Sequence, residues 1–292
     1  MDQRHRSRGP QVETATYLEW VTTIAGATTL IGALLFYFGW ARASATFSYL
    51  GIEADVLGLG FQEYLLRSVR STYSPLLALV VFLLGGLALR RFLVGSPVAF
   101  PVGIALITFG SISALFGLFV SQGLVTVDFR WPLVPVAYLV AAILAVYGFG
   151  LLLVAWDQAP KSLVGSIVIH HPLVGGVILL LAFWVVSSYA AYRGKAIGEE
   201  ISAHPDSRPS VVVLSENDLH LRGSGVRTER VEGEGSAFAY CYSGLRFLIR
   251  SGDRQFLLPE RWKRGRDPVI VLPESQSIRF EYFPSQAVSN CR

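Results

Sequence analysis

Charged side chains are scarce in this 292-residue chain. Asp, Glu, Lys and Arg make up 16% of it, against about 25% in a typical soluble domain. They are also unevenly placed: the first 192 residues hold 10 of the 25 Lys and Arg and 8 of the 21 Asp and Glu. Cysteine is nearly absent. The two present, Cys241 and Cys291, stand in no Cys-x-x-Cys or zinc-type spacing, which excludes a cysteine-rich metal module. The net charge of +4 and isoelectric point near 9.1 call for no nucleic-acid partner, because loop arginines of a membrane protein account for them. Five long apolar runs lack any Asp, Glu, Lys, Arg or His in their interiors. That argues against a proton-coupled carrier or an intramembrane protease, whose chemistry needs ionisable groups at bilayer depth. A pore gated by dewetting needs none and stays open as a reading.

What is abundant is apolar: 52% of residues are hydrophobic and the mean hydropathy is +0.47. After a polar N-terminal tail (1–19), runs at about 20–40, 75–94, 101–120, 132–156 and 172–192 each approach the ~20 residues a helix needs to cross ~30 Å of hydrocarbon. Arg4, Arg6 and Arg8 before the first run, and Ala43-Ser44-Ala45 after it, have the look of a cleavable signal. The run is too long for the usual 7–15-residue signal core, so a retained helix is expected. Between the first two runs, Phe61, Leu65 and Val69 share a helical face, with Gln62, Glu63, Arg67 and Arg70 on the other side. This predicts a short amphipathic helix near 61–70, lying at the membrane surface or packed over the ends of the spans.

Orientation is weakly encoded. With the N-terminus inside, Arg4, Arg6, Arg8, Arg90, Arg91 and Lys161 face Arg42, Arg67, Arg70, Arg130, Arg193 and Lys195 across the bilayer, which is no net bias. The tight basic clusters at the N-terminus and at Arg90-Arg91 favour a cytoplasmic N-terminus. Five spans then put the C-terminal part outside.

Beyond a polar neck (193–209), short β-branched and aromatic runs alternate with turns: 211–214, 237–242, 245–250, 255–258, 269–272 and 277–283. Ser251-Gly252-Asp253-Arg254 reads as the turn of a hairpin. The expected fold class is therefore α+β: a five-helix transmembrane bundle followed by an extracytoplasmic antiparallel β sandwich or barrel over 210–292. A domain this small has a limited core, so a Cys241–Cys291 disulfide makes physical sense outside the cell. Two unpaired buried thiols are the alternative.

Tyr37-Phe38-Gly39-Trp40, Tyr64-Leu65-Leu66-Arg67-Ser68-Val69, the stretch Gly244 to Arg254 and Phe256-Leu257-Leu258-Pro259 together resemble a group of uncharacterised multi-pass membrane proteins of actinobacteria. The resemblance implies the same division into spans and tail and transfers no catalytic residue.

Chemistry-bearing patterns are thin. His170-His171 has no partner at metal-ligand spacing. Ser215, Asp218 and His220 supply triad residue types, but strand alternation does not bring them together. Gly58-Leu59-Gly60 and Gly233-Glu234-Gly235 lack the setting and third glycine of a nucleotide loop. Gly103, Gly110 and Gly117 recur every seven residues and predict a close helix–helix contact. Thr22, Thr23, Thr28 and Thr29 offer hydroxyls for packing or a polar pore lining. Arg261, Trp262, Lys263, Arg264 and Arg266 form the densest basic patch, a candidate for contact with anionic headgroups or an acidic envelope polymer, with a solvated turn as the alternative. No cofactor, metal or catalytic residue is predicted. The expected function is a non-enzymatic membrane protein whose β domain binds a ligand, envelope component or partner protein. The expected partners are the lipid bilayer and either another membrane protein or further copies of the chain. A pore or transport subunit of oligomerised helices is the alternative. An enzyme acting on a lipid or wall precursor would need Glu53, Asp55, Glu63 and Asp128 to converge.

Overall fold

The computed structural model describes residues 11–93, 96–125, 132–155, 172–231, 237–285 and 291. The N-terminal arginines, Asp128, Arg130, Trp131, Trp156, Asp157, Lys161, His170, His171 and Gly233-Glu234-Gly235 lie outside the described residues. The helices are α1 (Gln11–Tyr49), a one-turn α2 (Ala54–Leu57), α3 (Phe61–Leu93), α4 (Ala99–Ser121), α5 (Leu133–Ala155) and α6 (Pro172–Ala203). Five of these are long and apolar enough to cross a membrane.

Their lengths fall into two classes. α4 and α5 have 23 residues each, roughly 35 Å, close to the thickness of a bilayer core. α1, α3 and α6 have 39, 33 and 32 residues, roughly 48–58 Å, and overshoot it. The excess redraws the predicted boundaries. α1 takes in residues 11–19 and continues nine residues past Trp40. The segment 61–70 is not a separate surface helix but the start of α3, which runs on through Pro75. Most of the predicted neck is the last part of α6.

The extensions pack on one another through glycines. A Cβ on Gly39 of α1 would lie 1.9 Å from the Tyr64 carbonyl oxygen of α3. One on Gly194 of α6 would lie 2.1 Å from the Arg42 carbonyl oxygen, and one on Gly198 would lie 2.8 Å from that of Thr46. Thr46 Oγ1 donates to the carbonyls of Arg42 and Gly194, both at 2.9 Å, sharing one hydroxyl between two helices. Phe36 stacks on Phe61 and meets Tyr64 edge-on, with both pairs of centroids 5.3 Å apart. The result is a three-helix stalk.

The six strands between Ser210 and Phe283 form one open antiparallel sheet, not a sandwich or barrel. Its order is β5-β4-β3-β1-β6, with β2 also paired to β3. The strands are β1 (Ser210–Ser215), β2 (Arg227–Arg230), β3 (Tyr240–Ser251), β4 (Arg254–Pro259), β5 (Ile270–Pro273) and β6 (Ile278–Phe283). The β3–β4 hairpin turns at Gly252, whose φ of +58° suits a residue without a Cβ. Strand alternation gives the sheet two apolar faces. Val211, Val213, Tyr242, Leu245, Leu257, Ile270 and Leu272 fill one, covered by Leu219, Leu221 and Val226 of the β1–β2 connection. The other face meets the stalk. Leu248, Ile249, Phe256, Leu258 and Trp262 are buried in one core with Ala43, Phe47, Leu50, Ile52, Leu57, Leu59, Tyr64 and Ile201. A sheet needs a second layer over each apolar face; here the helices provide one and a loop the other, so no second sheet is required.

Cys241 and Cys291 are bonded to each other, with Cα atoms 6.0 Å apart and a separation of 50 positions in sequence. The bond ties the end of the chain to the central strand β3. Reduction releases a loop whose closure is worth about 4 kcal/mol on the chain-entropy relation. Adding dithiothreitol, or replacing Cys291 with Ser, is therefore expected to lower the thermal unfolding midpoint of the sheet by several degrees. An unchanged midpoint would show that the bond adds nothing.

Candidate functional site at the helix–sheet junction

The sequence-predicted candidates fall in three places. Gly103, Gly110 and Gly117 are all buried on α4 and face α5: their Cβ positions lie 3.0 Å from the Gly148 carbonyl oxygen, 3.1 Å from that of Ala141 and 3.3 Å from the Ala137 side chain. Ser113 donates across the same contact to the Ala137 carbonyl at 2.9 Å. Thr28 and Thr29 turn their hydroxyls back to the carbonyls of Ile24 and Ala25, so neither presents a free donor to a lumen.

In the basic patch, Trp262 is only 3% exposed and belongs to the shared core, so it is a structural anchor and not a surface contact. Arg261, Lys263, Arg264 and Arg266 remain exposed. Arg264 lies over the Tyr49 ring of α1 at 4.2 Å, which aims the patch at the stalk.

Ser215, Asp218 and His220 do not form a triad. Ser215 Oγ accepts from the Asn217 amide and stands apart, whereas the structure does bring Asp218 and His220 together, with His220 Nδ1 3.2 Å from an Asp218 carboxylate oxygen. Asp218 accepts from the Tyr242 hydroxyl at 2.6 Å and the His220 amide at 2.9 Å. The Tyr242 hydrogen bond, more than the amide, holds the Asp218 carboxyl below its usual range. Tyr242 is pushed up to about 12, chiefly by burial and then by donating to that carboxylate. Asp267 is a second clamp. Burial alone would raise its pKa, but bonds from the Ser224 hydroxyl and amide and the Lys263 amide outweigh it and lower it. Both carboxylates are depressed in the folded state, so what they contribute is complete above the unfolded value of about 3.9 and is lost as pH falls through the folded values. Limited proteolysis of 216–226 is expected to accelerate at pH 3 relative to pH 6, and Asp218→Asn to show the fast cleavage at both. Equal rates at both pH values in the unmodified protein would contradict the clamp.

Arg246, in the central strand, is 6% exposed and paired with Glu260. It also donates to the carbonyls of Arg208, at 3.3 Å, and Ser285, at 2.9 Å, fastening the two ends of the sheet segment to its middle.

The junction between stalk and sheet holds two cavities with charged side chains in their walls. One of about 510 Å³ lies among α1, the start of α5, α6 and the basic loop, with Tyr49, Tyr192, Lys195 and Arg264 in its wall. A smaller one of about 160 Å³ is bounded by α1, α3, α6, Arg208 and β3, and three arginines line it: Arg42, Arg67 and Arg208. Arg42 Nη1 donates to the Arg67 carbonyl at 2.7 Å, and the Arg67 guanidinium lies 5.8 Å from the Phe47 ring centre. A third cavity, of about 250 Å³ between α3, α5 and α6, is lined almost wholly by apolar side chains. Among the described residues no group of three His, Cys, Asp or Glu is placed to hold a metal ion. The three arginines escape a sequence search because they stand far apart in the chain. No family model, curated protein or solved structure matches the chain.

Proposed function

We propose that this is a non-enzymatic multi-pass membrane protein whose sheet is a binding head held rigidly on helices that cross the bilayer. The observation that carries the proposal is the single core joining Phe47, Leu50, Tyr64 and Ile201 of the stalk to Leu248, Phe256, Leu258 and Trp262 of the head. A head tethered only for display would need a linker; a head sharing its core with α1, α3 and α6 passes any strain on it to the spans. The apolar helices support membrane placement, since side chains such as Phe92, at 77% exposed, and Leu173, at 84%, point outward, where water would penalise them and lipid does not. The disulfide favours an oxidising compartment for the head, hence a cytoplasmic N-terminus. The head's partner is a ligand, an envelope component or another protein.

Photo-crosslinking amino acids placed at exposed Arg227, Val271 and Tyr282 in intact cells test the binding role. A discrete adduct recurring at two of these positions is expected, and none at any of them would refute it. Because both native cysteines are bonded, a cysteine at Arg227 also reports orientation: a membrane-impermeant maleimide should label it before lysis. Ion currents from the purified protein in planar bilayers would instead favour a pore.

A further inference from the structure

The three-arginine cavity concentrates positive charge in a half-buried place where charge is costly. Arg42 comes from α1, Arg67 from α3, and Arg208 from the turn after α6, so the stalk gathers them only when folded. Among the described residues neither Arg67 nor Arg208 forms a salt bridge with a carboxylate. Glu63 and Glu200 act on them from a distance, and a carboxylate oxygen of Glu63 is itself buried without a hydrogen-bond partner. Burial, first of all causes, lowers the pKa of both arginines, and Arg67 lowers that of Arg208 further. Guanidinium groups at such depth are ordinarily paired with an anion.

We propose that this cavity binds a phosphate group, either the headgroup of an anionic lipid or a soluble phosphate. Planar guanidinium forks match phosphate oxygens bidentately. At about 160 Å³ the space is well below the ~300 Å³ at which sites for drug-sized ligands begin, which suits one small anionic group rather than a whole nucleotide. Its height also fits. Arg42 is the first charge after the apolar run of α1, and Arg67 lies just ahead of the apolar part of α3 that begins at Tyr73. On the membrane reading above, that is the level of lipid phosphates. The soluble arm does not need that reading, so the two fail separately.

The test uses the full-length protein in nanodiscs. One arm compares phosphatidylcholine discs with and without a minority of phosphatidylglycerol; the other adds inorganic phosphate to pure phosphatidylcholine discs against chloride at equal ionic strength. Thermal midpoint and lipid retained in native mass spectrometry are read. Phosphatidylglycerol raising the midpoint and being retained identifies a headgroup, and inorganic phosphate raising it identifies a soluble ligand. Arg67→Gln with Arg208→Gln is expected to reduce the effective arm about tenfold in affinity, while Arg227→Gln on β2 leaves it unchanged. Arg67→Lys with Arg208→Lys keeps the charge and should retain part of the binding. If neither anion shifts the unmodified protein, the proposal is wrong, and that holds even if the glutamine variant does not fold.

Discussion

Alanine at Gly39 is expected to be among the most destabilising single changes in the stalk. The added Cβ would stand 1.9 Å from the Tyr64 carbonyl oxygen and 2.6 Å from its carbon, both backbone atoms of the facing helix. No side chain can swing aside to relieve this, so α1 and α3 must separate. Separation would loosen the Phe36, Phe61 and Tyr64 contacts and the Arg42 bond to Arg67. Overpacking in a well-packed core typically costs about 1–3 kcal/mol; with backbone as the obstacle, about 3 kcal/mol or more is expected. Gly194→Ala, aimed at the Arg42 carbonyl oxygen at 2.1 Å, should behave likewise. Gly26 and Gly32 lie on the same helix with nothing within 4 Å of their Cβ positions, so alanine there should change stability by less than about 1 kcal/mol. Thermal unfolding of the four variants in one detergent checks the pattern. Equal midpoints for Gly39→Ala and Gly32→Ala would mean the stalk is not packed as described.

The second large effect is expected in the shared core. Phe256 is fully buried on the stalk-facing side of β4, and Trp262 is 3% exposed beside it. Truncating a buried Phe or Trp to alanine costs about 3–5 kcal/mol, from lost transfer energy and the cavity left behind. Phe256→Ala and Trp262→Ala should each approach that range. Phe47→Ala, made on the helix side, should do the same although it lies far from the sheet in sequence. Because the three side chains occupy one core, Phe47→Ala combined with Phe256→Ala should depart from additivity by about 0.5–3 kcal/mol. Strict additivity would indicate two separate cores.

The apolar runs and most strands could be read directly, because span length and strand alternation are local signals. The hairpin at Gly252 could be read for the same reason. Helix extension could not. Arg42 and Arg193 look like the charges that end spans, yet the helices run through both. The sequence around Gly194 and Gly198 reads as a flexible neck, whereas these glycines are there for close approach to α1. The expectation of a sandwich or barrel failed because it sought the sheet's second layer within 210–292, and half of that layer comes from α1, α2, α3 and α6. Trp262 was drawn to the surface by its basic neighbours, while its own burial is set by residues more than two hundred positions away, such as Phe47 and Leu50. The seven-residue glycine repeat on α4 is a local pattern and so marks a close contact, but it names no partner helix; the structure supplies α5. The three arginines had no such local pattern.

Hydrogen exchange of the full-length protein in lipid nanodiscs tests the joint core most directly. The expected result is that Phe47→Ala, a change on α1, accelerates amide exchange both in the stalk at 42–50 and 194–202 and in strands β3 and β4. Acceleration confined to α1, with β3 and β4 protected as in the unmodified protein, would contradict a head and stalk folded as one unit.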